Sequence, residues 1–145
     1  MAMNEITLTV LGTVVSGVIV FIVGEYLKEA LIVPYHKYRE FRGKVAHHLV
    51  LYSNRISNPS GNTITDRETY RHISNELREL AAELVALNTV MVSSKQKKNK
   101  RKDTISRLIN LSNCLVINNN SSYLDTNQEN LEIIRENLDI KRFGA

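Results

Sequence analysis

The sequence contains one cysteine, no tryptophan, two prolines and six glycines among its 145 residues. A single cysteine excludes an internal disulfide framework and suits a reducing compartment. So few helix-breaking residues favour helices over the many turns of a β-sandwich or barrel. Nor does any segment show the alternation of apolar and polar residues that is typical of a strand. We therefore expect an all-α protein.

Charge is also missing from one long stretch, because residues 6–23 carry no charged side chain and are mostly apolar. Continued to Leu27, the stretch approaches the roughly 20 residues that cross a bilayer as a helix. A cleaved signal peptide would begin with basic residues and end in a small-residue cleavage site, and this segment shows neither. We predict a single transmembrane anchor at residues 1–33 and a helical domain at residues 34–145.

Basic residues flank the apolar stretch on one side only. None precedes it, whereas the sequence soon after it contains Lys28, Lys37, Arg39, Arg42 and Lys44. Because lysine and arginine favour the cytoplasmic side of a membrane, we predict an N-terminus outside and a cytoplasmic C-terminal domain.

Small residues recur along the apolar stretch at the spacing of one helical face: Thr9, Gly12, Thr13, Ser16, Gly17 and Gly24. Such faces let two helices approach closely in lipid, where van der Waals packing drives their association. We predict that this face makes the protein a homo-oligomer. The alternative is that glycine, serine and threonine are simply common in membrane helices.

Beyond the apolar stretch, apolar residues repeat every three or four positions in four segments, which predicts a bundle of about four helices. Pro34 marks a kink or break where the chain leaves the bilayer. Later helix starts are predicted from capping residues at Thr65 to Glu68, at Asp103, and at Thr126 to Glu129. The apolar neighbours of Cys114 indicate a thiol packed in the core.

The residues predicted to face the core fall into four groups, one for each helix. They are Tyr35, Tyr38, Phe41, Val45, His48, Leu49 and Tyr52; Ile73, Leu77, Leu80, Ala81, Leu84, Leu87 and Met91; Ile105, Leu108, Ile109, Leu111, Leu115 and Val116; and Leu131, Ile134, Leu138 and Ile140.

A dense basic run follows the second of these helices and is predicted to be a loop: Lys95, Lys97, Lys98, Lys100, Arg101 and Lys102. Three interpretations of it remain open. The run is a solvated loop, a contact for anionic lipid headgroups, or a contact for nucleic-acid phosphates. No aromatic residues are interspersed among the basic ones, so stacking of bases on this run is unsupported.

The four histidines do not predict a metal site, since no cysteine or carboxylate completes a recognisable ligand set. They do belong to another pattern, in which four residues separate Arg67 from His72 and also separate Arg42 from His47. This spacing resembles the motif of the HEPN superfamily, which comprises helical domains of about this size. The resemblance implies a metal-independent RNase in which histidine transfers protons and arginine stabilises phosphoryl charge. The alternative is a set of helix-surface charges without a catalytic role.

The order of features along the chain gives a further resemblance. An uncharged N-terminal span followed by the segments at residues 32–59, 73–87 and 105–115 is similar to a family of small single-span bacterial membrane proteins. More distantly, it resembles the HEPN-like membrane accessory protein of type VI CRISPR systems, which assembles as an oligomeric pore and strengthens antiviral defence. Membrane effectors of type III CRISPR systems, which sense cyclic oligoadenylate, share the plan of anchor and small domain.

These resemblances imply an oligomeric effector of the bacterial inner membrane that permeabilises the membrane, without a cofactor, a metal or a small-molecule substrate. The partners that they imply are lipid, RNA, a cyclic oligonucleotide and a CRISPR effector. The rival functions are a membrane-tethered HEPN-like domain that binds or cleaves RNA, and a non-enzymatic adaptor that recruits a cytosolic partner.

Overall fold

A computed structural model describes residues 2–57, 64–117 and 122–140, and the regular structure of these residues is entirely helical. The elements in chain order are α1 (Ala2–Leu27), a π-helical turn (Lys28–Ile32), α2 (Val33–Leu51), α3 (Ser53–Ser57), α4 (Ile64–Val90), α5 (Lys95–Ile117) and α6 (Ser122–Asn137). No strand occurs in the described ranges. The prediction of an all-α protein with a long apolar N-terminal helix and a following bundle is confirmed.

The N-terminal helix is uncovered. The continuous helical stretch Thr7–Leu51 contains the one described window that is long and apolar enough to cross a membrane, and none of that window is buried. Its large side chains are exposed, with Val20 and Phe21 at 71% and 69%. A core helix of a soluble domain would instead be covered by its neighbours. By length and composition, α1 is therefore a candidate membrane span.

The junction between α1 and α2 is a π-helical turn instead of a break. The backbone amide of Val33 donates to the carbonyl of Lys28, five residues earlier, and Pro34 lies in the first turn of α2. A proline has no amide to donate, and its ring clashes with the carbonyl four residues before it. The wider turn accommodates this ring, so the helix continues where the sequence predicted a kink or break.

The long helices of the bundle alternate in direction. Helix α2 leads away from α1, α4 returns toward it, α5 leads away again, and α6 returns. The contacts that set these directions are Lys44–Glu83 and Arg55–Asp66, then Arg101–Asn88 and Arg78–Ser112, and then Arg107–Asn130 and Asn137–Asp103. Consequently the start of α2, residues 91–94, the start of α5 and the end of α6 share one end of the bundle, here called the span-proximal end.

Apolar residues from all the bundle helices form one core, in agreement with most of the predicted stripes. Phe41, Val45, Leu77, Leu84 and Ile134 are among its fully buried members. Three of the residues predicted to face the core are instead exposed at the surface: Tyr35 at 64%, Ile109 at 41% and Val116 at 46%.

The predicted helix starts differ from those in the structure. The basic run is not a loop, because α5 begins at Lys95, and Asp103 lies inside the helix. Lysine and glutamine are good helix formers, so the helix extends back to Ser94, whose side chain accepts the Lys97 amide at 3.5 Å. Helix α6 begins at Ser122, which places Thr126 in its interior. The side chain of Thr65 lies outside the described residues.

Candidate functional site

The glycines of α1 have open space around them. A Cβ atom built on Gly12, Gly17 or Gly24 would meet no described atom within 4 Å. No neighbour within the chain therefore requires glycine at these positions. A second helix packed against this face could use the space, because small residues allow close backbone approach.

The hydroxyl groups on the same face are satisfied by the helix itself. Thr13 Oγ1 donates to the Thr9 carbonyl at 2.9 Å, and Ser16 Oγ donates to the Thr13 carbonyl at 2.9 Å. Such bonds remove the cost of placing a hydroxyl group in lipid. The face therefore offers close packing more than it offers hydrogen bonds to a second helix.

The basic run divides into two parts. The five lysines at positions 95, 97, 98, 100 and 102 are exposed on the first two turns of α5. Among the described residues, none of the ion pairs involves one of these lysines. The first turn of α5 also holds no acidic residue, although the positive end of the helix dipole disfavours cations there. These lysines form a surface of positive charge without internal compensation.

Arg101, predicted as a sixth contact residue, is instead buried at 3% exposure. Its Nε donates to Asn88 Oδ1 at 2.8 Å, another guanidinium nitrogen donates to the Ser93 hydroxyl, and the guanidinium lies 5.7 Å from the centre of the Tyr38 ring. Burial raises the pKa of Tyr38, and the nearby Arg101 charge opposes this shift. Arg101 therefore joins α2, α4 and α5 at the span-proximal end. Its spacing to Leu108 matches the buried stripe of α5 and would have distinguished it from the lysines.

A groove of about 670 Å³ opens at the span-proximal end. Its walls come from the start of α2, residues 91–94, the start of α5 and the end of α6, and they include Tyr35, Lys97, Lys100 and Glu136. The groove carries more cationic than anionic side chains, and its cations continue into the lysine surface of α5.

Arg42, the first residue of one Arg-x4-His match, serves the end of α6. Asp139 adopts φ 53°, and the amides of Asp139 and Ile140 donate to the carbonyls of Glu136 and Arg135, which is a Schellman C-cap. The Arg42 guanidinium donates to both the carbonyl and the carboxylate of Asp139. This contact directs Arg42 toward α6, and the exposed His47 makes no described contact with it.

The structure does bring two histidines together, through a carboxylate that the sequence analysis missed. Glu76 Oε2 lies 3.3 Å from His48 Nδ1, and Glu76 Oε1 lies 3.4 Å from His72 Nε2. The Tyr52 ring stacks on His48 with centroids 5.8 Å apart, and Glu76 raises the pKa of Tyr52. The spacing from His72 to Glu76 is one helical turn, but the approach of His48 depends on how α2 packs against α4.

This histidine cluster consists of imidazole and carboxylate groups, which are the kinds of side chain that transfer protons in enzymes, but it does not reproduce the two predicted pairs. His72 and Arg67 are exposed on α4. His48, not the predicted His47, approaches Glu76, while Arg42 is occupied at α6. Among the described residues, no group of histidine, cysteine and carboxylate side chains is arranged to hold a metal ion.

Cys114 is partly buried, and burial raises the pKa of its thiol. A raised pKa lowers the fraction of reactive thiolate at neutral pH. Cys114 therefore lies at the edge of the core, whereas the sequence predicted a thiol packed within it.

Comparisons with known proteins add no assignment. No protein-family model matches the chain, and the searches of curated proteins and of solved structures likewise give no match.

Proposed function

We propose that the protein is an oligomeric membrane effector that perturbs or permeabilises a bacterial inner membrane, with its N-terminus outside and its bundle in the cytoplasm. The observation that carries this proposal is that α1 is uncovered. None of its apolar stretch is buried by the rest of the chain. In water that surface would be unfavourable by about 25 cal/mol for each Å² of apolar area. A bilayer removes this cost, and association between spans covers part of the same surface.

The open space at the glycines of α1 supports association through that helix. The resemblance to CRISPR membrane accessory proteins supports a role in antiphage defence, which an efficiency-of-plating assay with the expressed chain would test. A non-enzymatic adaptor would share the span but would not change the permeability of the membrane.

Replacing Gly17 and Gly24 with isoleucine should reduce the protein to smaller species in detergent. Each new side chain enters space that is open within one chain, so it leaves the chain intact but separates two packed helices. The measurement is molar mass by light scattering coupled to size-exclusion chromatography. The matched control is Gly43→Ile, because Gly43 has equal open space but lies on α2, outside the apolar stretch. An unchanged mass in the double variant would contradict association through α1.

The rival function, an RNase of HEPN type, has the histidine cluster in its favour, because Glu76 joins two imidazoles from different helices. A catalytic role for the pair on α4 makes a distinct prediction. Under that hypothesis, changing Arg67 or His72 to alanine abolishes RNA cleavage and toxicity together, since each supplies a separate part of the reaction.

We expect overexpression of the wild-type chain to depolarise cells while their RNA stays intact, and we expect Arg67→Ala and His72→Ala to leave both results unchanged. A potential-sensitive dye and the integrity of total RNA are measured in the same culture. Arg71→Ala and His36→Ala are matched controls, since both side chains are exposed and neither belongs to an Arg-x4-His pair. The nuclease hypothesis would replace the effector hypothesis if the wild-type chain degraded RNA without depolarising cells and if this degradation disappeared in the Arg67 and His72 variants.

A further inference from the structure

We propose that the five exposed lysines at the start of α5, together with Val92 and Tyr35, dock the bundle onto the anionic lipid headgroups around its own span. The proposal requires α1 to cross a bilayer, and it requires neither oligomerisation nor permeabilisation. It interprets the run predicted as a loop as a structured surface that faces the membrane.

The position of α5 along the bundle axis, relative to α1, follows from the contact between Arg101 and Tyr38. Its guanidinium lies 5.7 Å from the centre of the Tyr38 ring, so Arg101 and Tyr38 are at the same level of the bundle. Lys95 precedes Arg101 by six residues, and α5 runs parallel to α2, so Lys95 lies about 9 Å closer to the span. Moving the same distance back along the chain from Tyr38 leads to Ile32, at the end of the π-helical turn and five residues beyond α1. The first turn of α5 is therefore level with the π-helical turn that follows α1, where lipid headgroups would surround a chain that leaves the bilayer.

The charge of this surface suits lipid phosphates. Its five lysines have no ion-pair partner among the described residues, and long lysine side chains extend toward headgroups while their stems stay near apolar surface. Basic residues held near an anionic bilayer are attracted to it, and the attraction falls off within a Debye length. At the estimated level of Lys95 the distance to headgroups is within that range.

Apolar and aromatic groups at the same end complete the surface. Val92, between α4 and α5, is 78% exposed, and Tyr35 is 64% exposed at the start of α2. Tyrosine is favoured at the headgroup level, where its ring is apolar and its hydroxyl group stays hydrated. Exposure that is unfavourable in water is thus explained by contact with the interface. RNA would require neither this location nor the exposed valine, and the lysines have no interspersed aromatic residues on which bases could stack.

The absence of tryptophan from the chain makes the test direct, because one introduced tryptophan is the sole indole fluorophore. Full-length Val92→Trp protein is reconstituted in vesicles of phosphatidylcholine and phosphatidylglycerol whose acyl chains are brominated. The matched control is Val116→Trp, since Val116 is also exposed, at 46%, but lies at the far end of α5. Flotation of the vesicles after alkaline extraction reports insertion of α1 separately.

We expect bromine to quench the tryptophan at position 92 strongly and the one at position 116 weakly. Replacing the five lysines with glutamine in the Val92→Trp protein should reduce quenching, with the ratio of docked to undocked bundle falling roughly fivefold per lysine, equivalent to about 1 kcal/mol each. Raising the salt concentration, or removing phosphatidylglycerol from the vesicles, should also reduce quenching.

Equal quenching in vesicles of phosphatidylcholine alone, or in the glutamine variant, would overturn the proposal while leaving insertion of α1 intact. Weak quenching at position 92, combined with lysine-dependent and salt-dependent binding of polyuridylate, would overturn it in favour of RNA. If the protein did not float with the vesicles after alkaline extraction, α1 would not be inserted in the bilayer. That result would overturn both this proposal and the proposed function.

Discussion

Replacing Phe41 with alanine should lower the free energy of unfolding of the bundle by about 3–5 kcal/mol. Phe41 is fully buried, and its ring stacks against Tyr38 with centroids 6.4 Å apart. It is the first residue of α2 that belongs to the buried core, so its ring fixes the rest of the bundle to the helix that continues from α1. The alanine variant loses the burial of the ring and leaves a cavity that a close-packed core fills only in part.

The measurement is thermal unfolding of the full chain in detergent, followed by circular dichroism, with an expected decrease in Tm of roughly 10–20 °C. Phe21→Ala makes the same chemical change on α1, where the side chain is 69% exposed. We expect this control to unfold at the wild-type temperature. Equal behaviour of the two variants would show that Phe41 does not pack in the bundle as described.

Replacing Arg101 with glutamine should lower the free energy of unfolding by about 2–3 kcal/mol. The guanidinium donates to both Asn88 and the Ser93 hydroxyl and covers the Tyr38 ring, so its removal leaves the buried Asn88 side chain and the half-buried Ser93 hydroxyl without this partner. Lysine at this position should restore little, because an ammonium group lacks the planar arrangement of donors that reaches both acceptors.

The matched control for Arg101 is Lys98→Gln, which removes the same charge from the exposed side of the same helix. Its unfolding should change by less than about 0.5 kcal/mol. In the vesicle assay, Lys98→Gln should weaken docking of the bundle onto lipid, because Lys98 contributes attraction to the headgroups. Arg101 contributes to the stability of the bundle instead. Denaturant unfolding provides the free energies, and equal losses in both variants would contradict the division of the basic run.

The periodicity of the sequence predicted most of the core, because burial follows the helical repeat over long segments. Leu77, Leu84 and Ile134 are buried where the pattern places them. The errors lie at segment ends, as with Tyr35 and Val116, where a stripe continues in the sequence after the neighbouring helix has ended. A helical pattern specifies the face of a helix but not how far its partners extend.

Helix starts were harder to predict than helix faces. A run of lysines looked like a loop because of its charge, yet nothing in it interrupts a helix, and Ser94 supplies the cap. The capping pattern at Asp103 was a coincidence of residue type, since the Asp103 side chain accepts a hydrogen bond from Asn137 on α6. Capping residues also make tertiary contacts, and short motifs do not distinguish the two uses.

The candidate site was predicted only in outline. The sequence identified the basic run, the histidines and the small-residue face, all of which are visible as local composition. It did not identify Glu76 as the residue between His48 and His72, nor the burial of Arg101, because both depend on contacts between helices that are distant in sequence.

The π turn between α1 and α2 has a consequence for the direction in which the span faces. In an unbroken α-helix, Gly17 and Gly24 would lie roughly a quarter turn around the axis from Phe41 and Val45. The π turn absorbs about one extra residue, which changes that separation to roughly half a turn. The glycine face then points away from the side of α2 that carries the bundle. A second copy of α1 that packed on this face would approach from the side without the bundle, so the π turn would keep the two bundles apart.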